Sequence, residues 1–217
     1  MILKLLLLSL ILIHYPNQLK SNEIEENKHC LIHNLQYSRE YLYASKNTID
    51  NKDISSSLIT FRLDKVDDFI KITWVFVPVI VNDFHIKHMN KSLYLIKSGQ
   101  SKNEYLCSTN EYEKISPNRR LVKLFNIKET EKFQYYNCFW NFEKIFLNKT
   151  IKSFKELETA YVIRNMLVNE PMYAGAFFFN SGWYKRSVFL WVPNKGSSSN
   201  KFKWIIDCSK GEYIYSK

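Results

Sequence analysis

The chain has 217 residues, 46% of them hydrophobic and 16% aromatic, and its 31 Lys and Arg against 21 Asp and Glu give a formal charge of +10. Apolar material for a core is ample, and the basic excess bears on solubility and attraction to polyanions rather than on fold. No apolar run reaches the roughly twenty residues that a bilayer-crossing helix needs, so the expectation is a soluble protein without a transmembrane segment. In chain order, Lys4 precedes an unbroken apolar run over residues 5–13 that Pro16 ends, the layout of a secretory signal peptide over residues 1–21. Its loss would leave 29 cations against 21 anions in a secreted, extracellular protein. Residues 22–29 (NEIEENKH) read as a polar tail.

From Cys30 onward one pattern returns three times. Residues 30–45 (CLIHNLQYSREYLYAS), 94–109 (YLIKSGQSKNEYLCST) and 161–175 (YVIRNMLVNEPMYAG) are near copies, and fixed landmarks test the repeat. Ile32, Ile96 and Ile163 are followed by Glu40, Glu104 and Glu170 at offsets of 8, 8 and 7. Trp74, Trp140 and Trp204 come 42, 44 and 41 residues after the isoleucines. Between glutamate and tryptophan each unit has one further alternating run, at 58–63, 121–125 and 188–191. The units, 30–81, 93–147 and 160–210, each read as four short runs of period-two or continuous apolar character, which is the pattern of strands. One unit cannot cover its own apolar face, so closure with its neighbours must bury the core of an all-β domain.

The connections carry their own signals. Residues 46–57, 82–92 and 196–200 are polar loops, and 177–183 reads as a hairpin tip around Gly182. Asn90 and Asn148 begin glycosylation sequons in the linkers between units. His85 and His88 have no companion ligands, so no metal is expected. Ser153 with Glu156 forms a capping-box pattern, and Phe154, Leu157 and Tyr161 have helical spacing, which predicts a short helical turn over 153–159. Four cysteines in a secreted chain, Cys30, Cys107, Cys138 and Cys208, imply disulfides with three possible connectivities.

On these landmarks the chain resembles the β-trefoil superfamily, in which three four-stranded units close a six-stranded barrel capped by three hairpins. Its YLYA strand (41–44) and RSVFLW strand (186–191) are similar to those of secreted insect trefoil proteins of lectin-like or carrier-like kind. The resemblance implies a single domain over 30–217, expected to be monomeric. It also implies that the first and last strands are neighbours, so that Cys30 pairs with Cys208 and Cys107 with Cys138.

No catalytic signature is present: there is no G-x-S-x-G elbow, P-loop, H-E-x-x-H or dinucleotide fingerprint, so neither an enzyme nor a cofactor is expected. Ricin-like trefoil lectins carry Q-x-W near the end of each unit, whereas here Ile72, Cys138 and Phe202 stand two residues before the tryptophans. The tryptophans are therefore expected in the core, and sugar contact falls to Phe178, Trp183 and Tyr184. Arg119, Arg120 and Lys123, with Lys185 and Arg186, stand at the entry to the third strand of two units. Arginine's planar fork suits sulphate oxygens, which makes these five a candidate anion site. The sequence thus points to a secreted, non-enzymatic binding protein, lectin-like or anionic-glycan-binding, whose partner is a glycan or sulphated polysaccharide and not nucleic acid. The alternative is a cytokine-like or protease-inhibitor-like effector acting on an extracellular protein receptor.

Overall fold

The computed structural model describes residues 24–45, 57–62, 72–79, 92–113, 116–151, 154–178, 185–192 and 199–209. The signal segment, His85, His88, Asn90, Trp183 and Tyr184 lie outside them. Four strands form the first stretch, β1 (His29–Asn34), β2 (Glu40–Ser45), β3 (Ser57–Arg62) and β4 (Thr73–Pro78). Four form the second, β5 (Leu93–Ser98), β6 (Glu104–Glu113), β7 (Ser116–Asn126) and β8 (Phe139–Ile151). The last are β9 (Phe154–Asn165), β10 (Met172–Phe178), β11 (Lys185–Trp191) and β12 (Lys203–Asp207). Every strand pairing among the described residues is antiparallel, and all the strands join one connected all-β network.

Two closed circuits organise that network. In the first, β1 pairs with β4, β4 with β5, β5 with β8, β8 with β9, β9 with β12, and β12 with β1. Six strands thus close on themselves and leave no open edge, which abolishes the unpaired backbone row that a sheet edge would expose. In the second, the hairpins β2–β3, β6–β7 and β10–β11 meet through β3–β11, β11–β7 and β7–β3 contacts and form a triangular cap.

The three tryptophans sit where the circuits join. Trp204 lies opposite Asn34, Trp74 opposite Ser98, and Trp140 opposite Asn165 in the barrel ladders. All three are fully buried. Each indole N–H reaches from the barrel to the first strand of a hairpin: Trp74 donates to the Leu42 carbonyl at 3.0 Å, Trp140 to that of Leu106 at 2.8 Å and Trp204 to that of Met172 at 3.0 Å. Around them pack Ile32, Leu42, Phe76, Ile96, Ile163 and Leu190. The landmark isoleucines and tryptophans recur because each unit must supply one wall of a single core, and burying such side chains contributes about 1.5–3 kcal/mol each.

Both disulfides form as expected. Cys30 with Cys208 fastens β1 to the end of β12, and Cys107 with Cys138 fastens β6 to the turn before β8. The helical turn expected over 153–159 is overturned: β9 begins at Phe154 and pairs with β8 over twelve consecutive positions, from Ile151↔Phe154 to Trp140↔Asn165. The local capping signal favours a helix, but a helix there would leave the β8 backbone without its ladder partners, so tertiary pairing prevails. The same hairpin places Asn148 opposite Leu157 within the β8–β9 ladder rather than in a linker. Likewise Phe178 ends strand β10 instead of standing in a hairpin tip.

Candidate functional site

The cap gathers the cations that the sequence singled out, and the fold gives four of the five, Arg119, Arg120, Lys123 and Arg186, a carboxylate partner. Arg186 Nε donates to both oxygens of Glu40 at 3.0 and 2.9 Å, and the Tyr37 ring stacks 3.7 Å from its guanidinium carbon. Glu40 also accepts the Thr60 hydroxyl at 2.8 Å. Arg120 repeats the arrangement one unit back, donating to Glu170 at 2.8 and 3.0 Å, to the Thr109 carbonyl at 3.1 Å and to the Tyr112 hydroxyl at 2.7 Å. The hydrogen bond to Glu170, reinforced by its charge, holds the Arg120 pKa above its ordinary value. Glu40, Glu170 and Arg186 are all buried. Arg119 bonds Glu113 at 3.0 Å and lies 5.0 Å above the Phe189 ring, and Lys123 bonds Glu111 at 2.8 Å. The side chain of Lys185 lies outside the described atoms, although its backbone pairs with Phe61.

These pairs follow from register. In β11 against β7, Leu190 faces Arg120; in β3 against β11, Thr60 faces Arg186. No described side chain forms an ion pair with the third landmark glutamate, and Glu104 Oε2 is buried without a hydrogen-bond partner. Ser98 Oγ and Gln100 Nε2, in the same turn, are also buried without one. Where Ser98 stands, the equivalent Asn34 and Asn165 each donate to two backbone carbonyls, those of Lys201 and Lys203, and of Asn137 and Phe139.

Beside the cap the structure exposes an aromatic ledge that the sequence reading missed. Phe133, Tyr135 and Tyr136 are 41%, 38% and 42% exposed. Phe133 and Tyr136 stand on two 3-10 turns between β7 and β8, Lys132–Gln134 and Tyr136–Cys138, and Tyr135 joins the two. The segment is pinned from behind. Besides the Cys107 disulfide, Asn137 Nδ2 donates to the Ser108 carbonyl at 2.9 Å, and the Asn137 carbonyl accepts from Ser108 Oγ at 3.2 Å and Asn165 Nδ2 at 2.8 Å. Tyr136 meets Phe139 edge-on with ring centroids 5.4 Å apart.

In the same segment, Glu129 accepts hydrogen bonds from Lys132 and, at 2.7 Å, from the hydroxyl of the buried Tyr105. The Lys132 bond, then the Tyr105 bond, lower the Glu129 pKa, so this carboxylate stays charged well into the acid range. Burial, and then Glu129 itself, push the Tyr105 phenol up. The visible signal in the sequence was a dense, non-alternating FQYY run over 133–136, one residue short of Cys138.

Among the described residues no three His, Cys, Asp or Glu side chains group as metal ligands, and no helix is long and apolar enough to cross a membrane.

With a closed antiparallel barrel and a hairpin cap, the chain belongs to a fold class also seen in solved structures of low sequence identity. A Caenorhabditis elegans structural-genomics protein of unknown function matches with a TM-score of 0.59 and 12% identity over 88% of this chain and 98% of that one. The SDF2-like protein of Arabidopsis thaliana matches with a TM-score of 0.59 and 11% identity over 85% of this chain and 94% of that one. The S. cerevisiae protein O-mannosyltransferase Pmt1-Pmt2 complex bound to the sugar donor matches with a TM-score of 0.56 and 11% identity, over 87% of this chain but 27% of that one. No protein-family model matches the sequence, and neither does any curated protein.

Proposed function

We propose that this chain is a secreted, non-enzymatic β-trefoil binding module of lectin-like kind. The circular barrel, the three-hairpin cap and the three equivalent indole-to-hairpin hydrogen bonds support the trefoil assignment. Two disulfides suit an oxidising, extracellular compartment. The observation that carries the functional reading is the division between ionic and aromatic groups. Cap arginines and tryptophans are bound within the fold, while aromatic rings on a pinned segment face outward. Aromatic side chains with polar tips are the groups that combine apolar contact with hydrogen bonding at a wet surface.

A glycan array probed with the full-length secreted protein tests this. Selective retention of particular glycans is the expected result; uniform blankness, with capture of a single extracellular protein instead, would favour the effector reading.

Sulphated polysaccharide is a second reading, supported by the 29 cations against 21 anions that stand after the signal segment. Such attraction would be screened over about 8 Å at physiological salt and would arise from dispersed lysines, because Arg120 and Arg186 already bind Glu170 and Glu40.

A further inference from the structure

Resting on the lectin-like reading and naming its site, we propose that the ledge of Phe133, Tyr135 and Tyr136 is a binding site for a neutral pyranose that presents a face of C–H groups. Three of the exposed large hydrophobic side chains fall within four consecutive residues here, so their exposure is concentrated rather than scattered. A fold of this kind has room to bury aromatics, as the fully buried Trp74, Trp140 and Trp204 demonstrate. The ledge nevertheless keeps its rings outward on a backbone fixed by a disulfide and by hydrogen bonds to Ser108 and Asn165. A backbone held in place loses little conformational freedom when a ligand binds on it, which is the advantage of a preorganised site.

Charge narrows the ligand. Lys132 is bound to Glu129, and Lys128 lies 3.6 Å from Glu131, so the segment is electrically balanced in a chain of strongly basic composition. Each described lysine of the segment has a carboxylate within 4 Å, so the segment carries no net charge that would select an anionic or a cationic sugar. What the segment offers is π faces together with the Tyr135 and Tyr136 hydroxyls and the exposed Gln134 amide, groups that donate to and accept from sugar hydroxyls. Lys132 Nζ lies 5.1 Å over one side of the Phe133 ring, which leaves the two tyrosines as the principal stacking surfaces.

Saturation-transfer NMR with the neutral methyl glycosides of galactose, glucose and mannose, and with a sulphated glucosamine for contrast, tests the site on the full-length protein. The wild type should receive saturation at the ring C–H protons of at least one neutral glycoside. Tyr135→Ala and Tyr136→Ala should each bind that glycoside about tenfold or more weakly, the loss of one stacking contact of roughly 1.4 kcal/mol. Phe146→Ala, which removes an exposed aromatic on β8 away from the ledge, should bind as the wild type does. Unchanged melting temperatures would show that the variants fold. If both tyrosine variants bind like the wild type, the ledge is not the site although the lectin-like reading survives. Binding of the sulphated sugar alone would overturn the neutral-ligand assignment. No sugar binding here or on the array would overturn the lectin-like reading itself.

Discussion

Arg186→Met is expected to lower the stability of the protein by about 3 to 5 kcal/mol, because it leaves a carboxylate buried without its counter-charge. Glu40 is 6% exposed, and removal of the guanidinium leaves it only the Thr60 hydroxyl among the partners described above. Glu40→Leu should also destabilise the protein from the other side, by removing the carboxylate that Arg186 Nε binds. The double variant Glu40→Leu with Arg186→Met should be less destabilised than the sum of the singles, since a buried pair exchanged for apolar groups of like size is often near neutral. Urea unfolding of the four proteins measures the coupling. If Arg186→Met costs under about 1 kcal/mol, the range of an exposed pair, the cap is solvated there and the pair is not structural.

Trp140→Ala is expected to cost about 3 to 5 kcal/mol through the cavity it opens. A further penalty of about 1 to 3 kcal/mol arises because the Leu106 carbonyl loses its buried donor. Trp140→Phe separates the two effects: it keeps most of the packing, loses the N–H, and should fall nearer the second figure. Trp74 and Trp204, which make the equivalent bonds to Leu42 and Met172, should respond alike. Near-UV circular dichroism and denaturant midpoints provide the readout. A Trp140→Ala variant with wild-type stability would mean that the indole is not part of a shared core.

The barrel was legible in the sequence because its constraint is local in kind. Ile32, Ile96 and Ile163, and the tryptophans after them, must each be apolar and correctly spaced whatever the rest of the chain does. The landmark glutamates were equally visible, but their purpose was not, because Glu40 finds its arginine 146 residues away in another unit. Arg120 and Arg186 therefore looked like free surface cations when they are cross-unit clamps. The segment from Ser153 failed in the opposite sense: its capping box is a real local preference, overruled by a ladder partner that only the closed barrel supplies. Phe133, Tyr135 and Tyr136 escaped notice because an aromatic run without period-two or helical spacing carries no information on which way its rings face. Phe178, Trp183 and Tyr184, chosen for sugar contact, fall where side chains lie outside the described residues.

The unequal treatment of the three landmark glutamates has a consequence for motion. Two corners of the cap are locked by Glu40 with Arg186 and Glu170 with Arg120, whereas Glu104, at the third, has no ion pair among the described side chains. A structure opens first where the free energy of local opening is least. The third corner also contains Ser98 Oγ and Gln100 Nε2, buried without partners, so breathing of the whole cap should start at the β5–β6 turn and spread from there to the locked corners. In native-state hydrogen exchange the amides of residues 98–104 should lose protection before those of the β1–β2 turn around Asn34 and Glu40. The reverse order would mean that the cap opens at its clamps, and that its charges are restraints on the surface rather than the latches of a lid with one hinge.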